Sequence, residues 1–258
     1  MGADIITIEA GDLLLGVRAN EPEAERWLRD LYAPSVVEGE VTPPPNVSVA
    51  LGEKEVVGRS MHLLYRGQTR EVRTTSVGRV LRAVAAHLDS WLPALPGTTR
   101  LSARVLVGGN GAVLVDRHFD PAVVRAERRL RRVGFVQADV PSVDVDSETL
   151  DLVLRPPRVV PEPAAAARLD AVHPPGDDEV VLDGRRLPLL RILASKRPLE
   201  PGERDAAAND LVWLATGMGD HDRFSKADLD VVARLFANGL VDVRPNVSDV
   251  DLLDLVRR

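Results

Sequence analysis

The residue pattern predicts a mixed protein, α+β passing into α/β, and three observations carry that expectation. Short alternating apolar runs are interleaved with helical stripes in the first hundred residues. The segment Leu101 to Asp146 reads strand, glycine turn, strand, helix, strand. Three further helix signals and a strand lie in the last third of the chain. With 258 residues, 45% of them hydrophobic, there is material for one large domain or two modest ones.

Taken in order, Ile5 to Ile8 and Leu13 to Val17 predict a hairpin turning at Ala10-Gly-Asp. Asn20, Pro22 and Glu23 announce a helix whose start the Asn-x-x-Glu pair would cap, with Ala24, Trp27, Leu28 and Leu31 as its apolar stripe. Pro43-Pro-Pro interrupts the chain. Asn46 to Leu51 then alternates as a strand, and Met61 to Arg66 with Arg70 to Thr74 predicts a second hairpin turning at Gly67-Gln68. Ser76 opens a helix carrying Val77, Val80, Leu81, Val84, Leu88 and Trp91 on one side, stopped by Pro93 and Pro96-Gly97. Residues 1–98 thus read as an amino-terminal α+β portion.

Residues 99–156 form the second expected segment. Ala103 to Val107 and Ala112 to Val115 are strands around Gly108-Gly-Asn-Gly, and Asp116-Arg-His-Phe-Asp-Pro follows. A helix from Pro121 buries Val123, Ala126, Leu130 and Val133 and ends at Gly134, before a strand leading to Asp139. Six prolines between Arg155 and Asp178 predict an extended connection over 157–180. Residues 181–258 are expected to be helical or winged. Asp205 to Thr216 supplies one helix; a capping box at Ser225 to Asp228 opens another, with Leu229, Val232, Leu235 and Phe236 inward and Gly239 at its end. Leu240 to Val243 reads as a strand, and Val247 to Arg258 as a short helix that packs on the body or on a partner.

Composition removes several function classes. No Cys occurs, which excludes thiolate catalysis, disulfides and Cys-bound zinc and fits a cytoplasmic setting. Met1 to Glu9 has no basic n-region, no apolar run reaches membrane-spanning length, and neither export nor a membrane partner is expected. A net charge of -6 with 3% aromatics gives nucleic-acid binding little electrostatic or stacking material, so that partner is not expected either. The five histidines match no zinc spacing, and no metal or cofactor is expected.

The segment Leu101 to Asp146 resembles the core of the HPr serine kinase-like proteins, ATP-dependent kinases related in fold to phosphoenolpyruvate carboxykinase. The resemblance lies in the order of elements: a strand, a glycine turn, a strand like Gly111 to Val115, a loop and helix, then Gly134 and Asp139, where the active members have a glycine followed by an acidic pair near their metal. Leu64-Tyr-Arg-Gly67 and the helix from Ser76 to Trp91 resemble divergent relatives found beside peptide-modifying biosynthetic genes. It covers residues 1 to 155, and no single motif is specific. It implies a phosphate loop between Asp116 and Pro121, yet Asp116-Arg-His-Phe-Asp-Pro has no Lys, Ser, Thr or Gly. A phosphate loop works through consecutive glycine-rich amides, a Lys on the β and γ phosphates and a hydroxyl on magnesium. Two carboxylates and a proline would repel the ligand and remove a donor. The expectation is therefore a degenerate core without catalytic residues: a pseudokinase-like accessory protein binding a peptide or protein partner, within a ribosomal peptide pathway where the resemblance points.

The candidate contact residues are Arg117, His118, Arg125, Arg128, Arg129 and Arg132, the last four sharing one helix face by their spacing. Against that reading stands a solvated face paired with acids such as Glu127. Two alternatives accompany the accessory role. One is a divergent kinase or ligase holding ATP through Arg117 and the Arg helix with Asp139 on magnesium; the other is a structural subunit whose pocket is filled. His118 as a base oriented by Asp116 or Asp120 lacks a nucleophile motif, since neither Ser102 nor Ser142 sits in a Gly-x-Ser-x-Gly elbow. Asp139, Asp144, Asp146, Glu148 and Asp151 could bind a divalent ion, but Val143-Asp-Val-Asp146 reads first as a strand with its polar residues outward.

Overall fold

The computed structural model describes residues 5–38, 43–52, 60–195, 225–244 and 246–256. The expected helix from Asp205 to Thr216 and the Gly217-Met-Gly-Asp-His221 loop lie outside them. The chain forms two compact units, Met1–Leu92 with Pro156–Glu179 and Pro93–Arg155 with Val180–Arg258. The mixed architecture agrees with the α+β expectation.

The first unit is a five-stranded sheet in sequence order, β1 (Ile5–Ala10), β2 (Leu13–Ala19), β3 (Pro45–Ala50), β4 (His62–Arg66) and β5 (Thr69–Thr74). All neighbours are antiparallel except β2 and β3. Both predicted hairpins are present, and Gly11 and Gly67 take the left-handed backbone their two-residue turns require, at φ of 62° and 58°. Alternate residues Ile6, Ile8, Leu15, Val17, Val47, Val49, Leu64 and Val72 are buried. They share one core with Ala24, Leu28 and Leu31 of α1 (Pro22–Leu31) and Val80, Leu81, Val84 and Leu88 of α2 (Val77–Asp89). Ser76 caps α2 as expected, its side chain accepting from the Arg79 amide.

Three expectations need correction here. Asn20 does not cap α1: its side chain accepts from the Leu51 amide at 2.8 Å and donates to the Leu51 carbonyl, so the amide group extends the edge of β3 instead. Trp91 lies beyond the end of α2, 38% exposed, with the Arg66 guanidinium 5.6 Å from its ring centre. The proline-rich segment is a packed element, because Glu162-Pro-Ala-Ala-Ala-Ala combines a capping acid and an N-terminal proline with strong helix formers. It makes a helix over Pro163–Val172 whose Ala165 and Leu169 are buried beside Val159 in the same core.

The second unit holds two sheets. The smaller, in the order β12-β11-β10-β6, joins β6 (Thr98–Leu101), β10 (Val143–Asp146), β11 (Leu152–Val153) and β12 (Arg186–Leu187), all antiparallel. The larger runs β14-β13-β8-β7-β9, from β7 (Arg104–Gly108), β8 (Gly111–Val115), β9 (Val136–Ala138), β13 (Leu189–Ser195) and β14 (Val241–Arg244). β8, β13 and β14 are parallel; β7 is antiparallel to β8 and to β9. α3 (Asp120–Arg132) follows β8, and Gly134 ends it with φ 84° while the Phe135 amide reaches back to the Leu130 carbonyl.

The carboxy-terminal part is less exclusively helical than expected, since it supplies two of the three parallel strands. With the Pro163–Val172 helix numbered α4, α5 is Lys226–Ala237 and α6 is Asp249–Val256. The capping box at Ser225 and Asp228 is formed, but Val231 faces inward and Leu229 is exposed. Leu252, Leu253 and Val256 of α6 pack with Val123, Ala126 and Leu130 of α3 and with Leu106, Val113 and Leu193 of the sheet.

Candidate functional site

The site to consider is the turn between β8 and α3, which holds the Asp116-Arg-His-Phe-Asp-Pro segment. β8 leaves the sheet beside its parallel neighbour, and the Asp116 amide still donates to the Leu193 carbonyl of β13 at 2.8 Å. The chain then makes a single tight turn, closed by the Phe119 amide on the Asp116 carbonyl at 2.9 Å. Phe119 is buried in the core, and Asp120 begins α3.

The Asp116 carboxylate occupies the place where donors converge. One oxygen, Oδ1, accepts from the His118 amide at 2.9 Å and meets His118 Nδ1 at 2.9 Å. The other, Oδ2, accepts from the Ser195 hydroxyl at 2.6 Å and from the Ser195 amide at 3.1 Å. Burial alone would raise this carboxyl. The Ser195 hydroxyl, the His118 amide and ring and the Ser195 amide outweigh it and hold the group below the ordinary carboxylate value. An anion is thus already present at the end of β8, and it belongs to the chain.

The amino terminus of α3 is filled in the same way. Arg104 on β7 donates two parallel bonds to Asp120, at 2.8 and 2.7 Å, and is itself buried. This fork-on-carboxylate geometry is strong and specific. Pro121 contributes no amide hydrogen. Arg117 turns away from the helix start and donates to the Pro141 carbonyl at 2.7 Å. The expectation of two free carboxylates facing a ligand therefore takes another form: both are engaged by internal partners, Asp116 by hydrogen-bond donors and Asp120 by the Arg104 guanidinium.

His118 is exposed over 67% of its side chain, and the order of groups around it is wrong for nucleophilic catalysis. Asp116 lies between His118 and Ser195, so the Ser195 hydroxyl donates to a carboxylate rather than to an imidazole. A hydrolase places the histidine between the other two.

The four α3 arginines do not act as one face. Arg125 and Arg129 turn to Asp249 on α6, at 3.3 and 3.6 Å, whereas Arg128 and Arg132 meet no carboxylate among the described residues. Glu127 pairs instead with Arg131 at 2.7 Å. Asp249 is held below its ordinary range by its own helix-start amide and by Arg125 and Arg129.

The acidic strand also differs from expectation. β10 exists, but Asp144 and Asp146 are buried, not outward. Asp144 accepts from Arg100 at 2.8 and 3.2 Å and from Arg155 at 3.0 Å. Asp146 closes the following turn through the Thr149 and Glu148 amides, at 2.9 Å each, and pairs with Arg186 at 2.9 Å. These bonds lower its carboxyl below the usual value, the Thr149 amide contributing most. Among the described residues no group of three or more His, Cys, Asp or Glu side chains is arranged to hold a metal ion.

Sequence reasoning overlooked Ser195, Arg104 and Arg100, the partners that decide what Asp116, Asp120 and Asp144 do. A signal existed for Ser195: Leu189-Leu-Arg-Ile-Leu-Ala-Ser is a short apolar run following Gly184 and Pro188, the mark of a strand buried on both faces. Comparisons with protein-family models, curated proteins and solved structures return no match.

Proposed function

We propose that this chain is a non-catalytic, pseudokinase-like accessory protein that recognises a peptide or protein partner, in keeping with the resemblance of its Leu101 to Asp146 segment to HPr serine kinase-like cores. The observation that carries the reading is the internal anion at the end of β8. Asp116 takes the His118 and Ser195 donors, and Arg104 with Asp120 fills the start of α3. Phosphoryl transfer rests on positioning and on neutralising phosphate charge, and the described residues of this turn supply neither. Arg128 and Arg132, exposed on α3, are the candidates for partner contact, with Arg117, His118, Arg125 and Arg129 beside them on the loop and helix. Ribosomal peptide biosynthesis is the setting the resemblance implies.

Calorimetric titration with magnesium-ATP tests the first half: no heat of binding is expected, and micromolar binding would return the chain to the kinase or ligase class. Recovery of partners from the native host tests the second. Arg128→Glu with Arg132→Glu should lose the partner that the native chain retains, and unchanged recovery removes that face from the reading.

A further inference from the structure

Two histidines meet at one end of the core of the first unit. His62, the first residue of β4, lies on the same side of the strand as the core residue Leu64 and is 6% exposed. Its Nδ1 accepts from the Gly52 amide at 3.3 Å, so the ring is neutral with its proton on Nε2. His173 ends α4, its amide donating to the Leu169 carbonyl at 2.7 Å. Its ring stands edge-on to Trp27 of α1, with centroids 6.4 Å apart. Its backbone lies on Gly78 of α2, where a Cβ would come within 2.7 Å of the His173 Cβ and 2.8 Å of its carbonyl oxygen. Strand β4 and helices α1, α2 and α4 therefore converge on this pair.

The charged groups around the pair come from each of these elements. Glu23, in the first turn of α1, is exposed and acts on His62 from that side. On α2, Arg82 donates to the His173 carbonyl at 2.9 Å and is held by Asp170 and Glu179, while Arg79 is held by Asp178. His87, also on α2, is the other buried histidine of this unit. Burial holds the His62 ring below the ordinary histidine value, His173 pushes it further down, and Glu23 opposes both. Stability drawn from the neutral ring is therefore complete above the unfolded value of about 6.5 and is lost as pH falls through the lower folded one.

We infer that His62 and His173 form a proton-operated latch that seats the end of α4 against the sheet. With both rings neutral the junction is closed. A proton on Nδ1 of His62 displaces the Gly52 amide, because a protonated nitrogen donates and cannot accept. It also sets a buried cation beside a second imidazole that takes up protons in the same range. His62 is fixed within a strand, whereas His173 is half-buried at a helix end, so the end of α4 is the part that yields. The Arg82 bonds to the His173 carbonyl and to Asp170 are given up as it moves out.

Hydrogen exchange on the full chain, read by mass spectrometry from about pH 7.5 to about pH 5 with labelling times scaled for intrinsic exchange, tests the latch. Peptides covering α4 should exchange about tenfold faster or more at the acid end, one unit of displacement being a factor of ten, while those covering β1 and β2 keep their rate. His62→Asn, whose side-chain oxygen can still accept from Gly52 but takes up no proton, should remove the difference. His173→Gln should shrink it, and Glu23→Gln should move its midpoint to lower pH. His87 remains in every variant, so whatever it contributes is common to all, and circular dichroism establishes that each variant folds. In the native chain the His62 ring protons, followed by NMR, should titrate below about pH 6.5. A ring that titrates at or above that value, an α4 whose exchange ignores pH, or an acceleration shared equally by β1 and β2 would overturn the inference without any variant. So would an acid response of α4 that survives in folded His62→Asn.

Discussion

A carboxylate enclosed in protein costs several kcal/mol unless donors replace its water, and Asp116 and Asp144 meet that requirement differently. Asp116 relies on amides, a hydroxyl and a ring nitrogen, and Asp144 on two guanidiniums. For Asp116→Asn we expect a loss of about 2 kcal/mol near neutral pH, because charge-assisted bonds become neutral ones. The pH dependence follows from the depressed folded value. The carboxylate's contribution is complete above the unfolded value of about 3.9 and disappears as pH falls through the lower folded one. Urea denaturation of the native chain and the variant should therefore show a constant gap above about pH 5 that narrows in more acidic solution. Asp144→Ala leaves Arg100 and Arg155 without their shared counter-ion, and should cost about 3 to 5 kcal/mol by the same measurement. An Asp144→Leu, Arg100→Met, Arg155→Met triple variant should recover much of that loss, since it removes the buried carboxylate along with both of its guanidinium partners.

Elements show where sequence logic succeeds and where it stops. Hairpins at Gly11 and Gly67, the Ser76 cap, the Gly134 stop and the Ser225 capping box were legible because each depends on residues a few positions apart. What was not legible depends on distant residues. Asn20 has the right neighbours for a cap, but Leu51 supplies both an amide and a carbonyl and wins the side chain. The prolines around α4 read as breakers; they stand mostly outside the helix, with Pro163 at its first turn, where the missing amide hydrogen costs nothing. The Gly108-Gly-Asn-Gly turn shows a similar split. Gly111 has φ 149°, and a Cβ there would collide with the Pro188 carbonyl that its neighbour Ala112 uses to bind the start of β13, whereas a Cβ on Gly109 would meet nothing. Gly111→Ala should thus destabilise the fold by about 2 to 4 kcal/mol while Gly109→Ala stays within about 1 kcal/mol of the native chain, a contrast readable from thermal melts. Equal melting temperatures for the two would mean that the β8–β13 junction tolerates a side chain it has no room for.

At the scale of the molecule, the chain leaves its first unit after Leu92 and returns at Pro156, so that unit is discontinuous in sequence. The returning segment completes it. Val159, Ala165 and Leu169 are buried in the core of the amino-terminal sheet, the Glu162 amide donates to the Leu31 carbonyl, and Arg158 binds Asp89 at 2.9 Å. Beyond α4, Glu179 grips Arg82 through two bonds, at 2.8 and 2.9 Å, and Asp178 binds Arg79 at 2.8 Å. Three buried apolar side chains contribute on the order of 1.5 to 3 kcal/mol each for the larger ones, which is comparable with the whole stability of a small domain. Residues 1–92 expressed alone should accordingly lack a cooperative unfolding transition and should expose apolar surface to a hydrophobic dye. Joining residue 92 to residue 156 through a flexible linker and ending at residue 179 should restore a single sharp transition, because all partners of the sheet core are then on one chain. Within that shortened chain, Leu169→Ala should lower stability by about 2 to 4 kcal/mol. Cooperative unfolding of residues 1–92 by themselves would show instead that α4 decorates a finished domain.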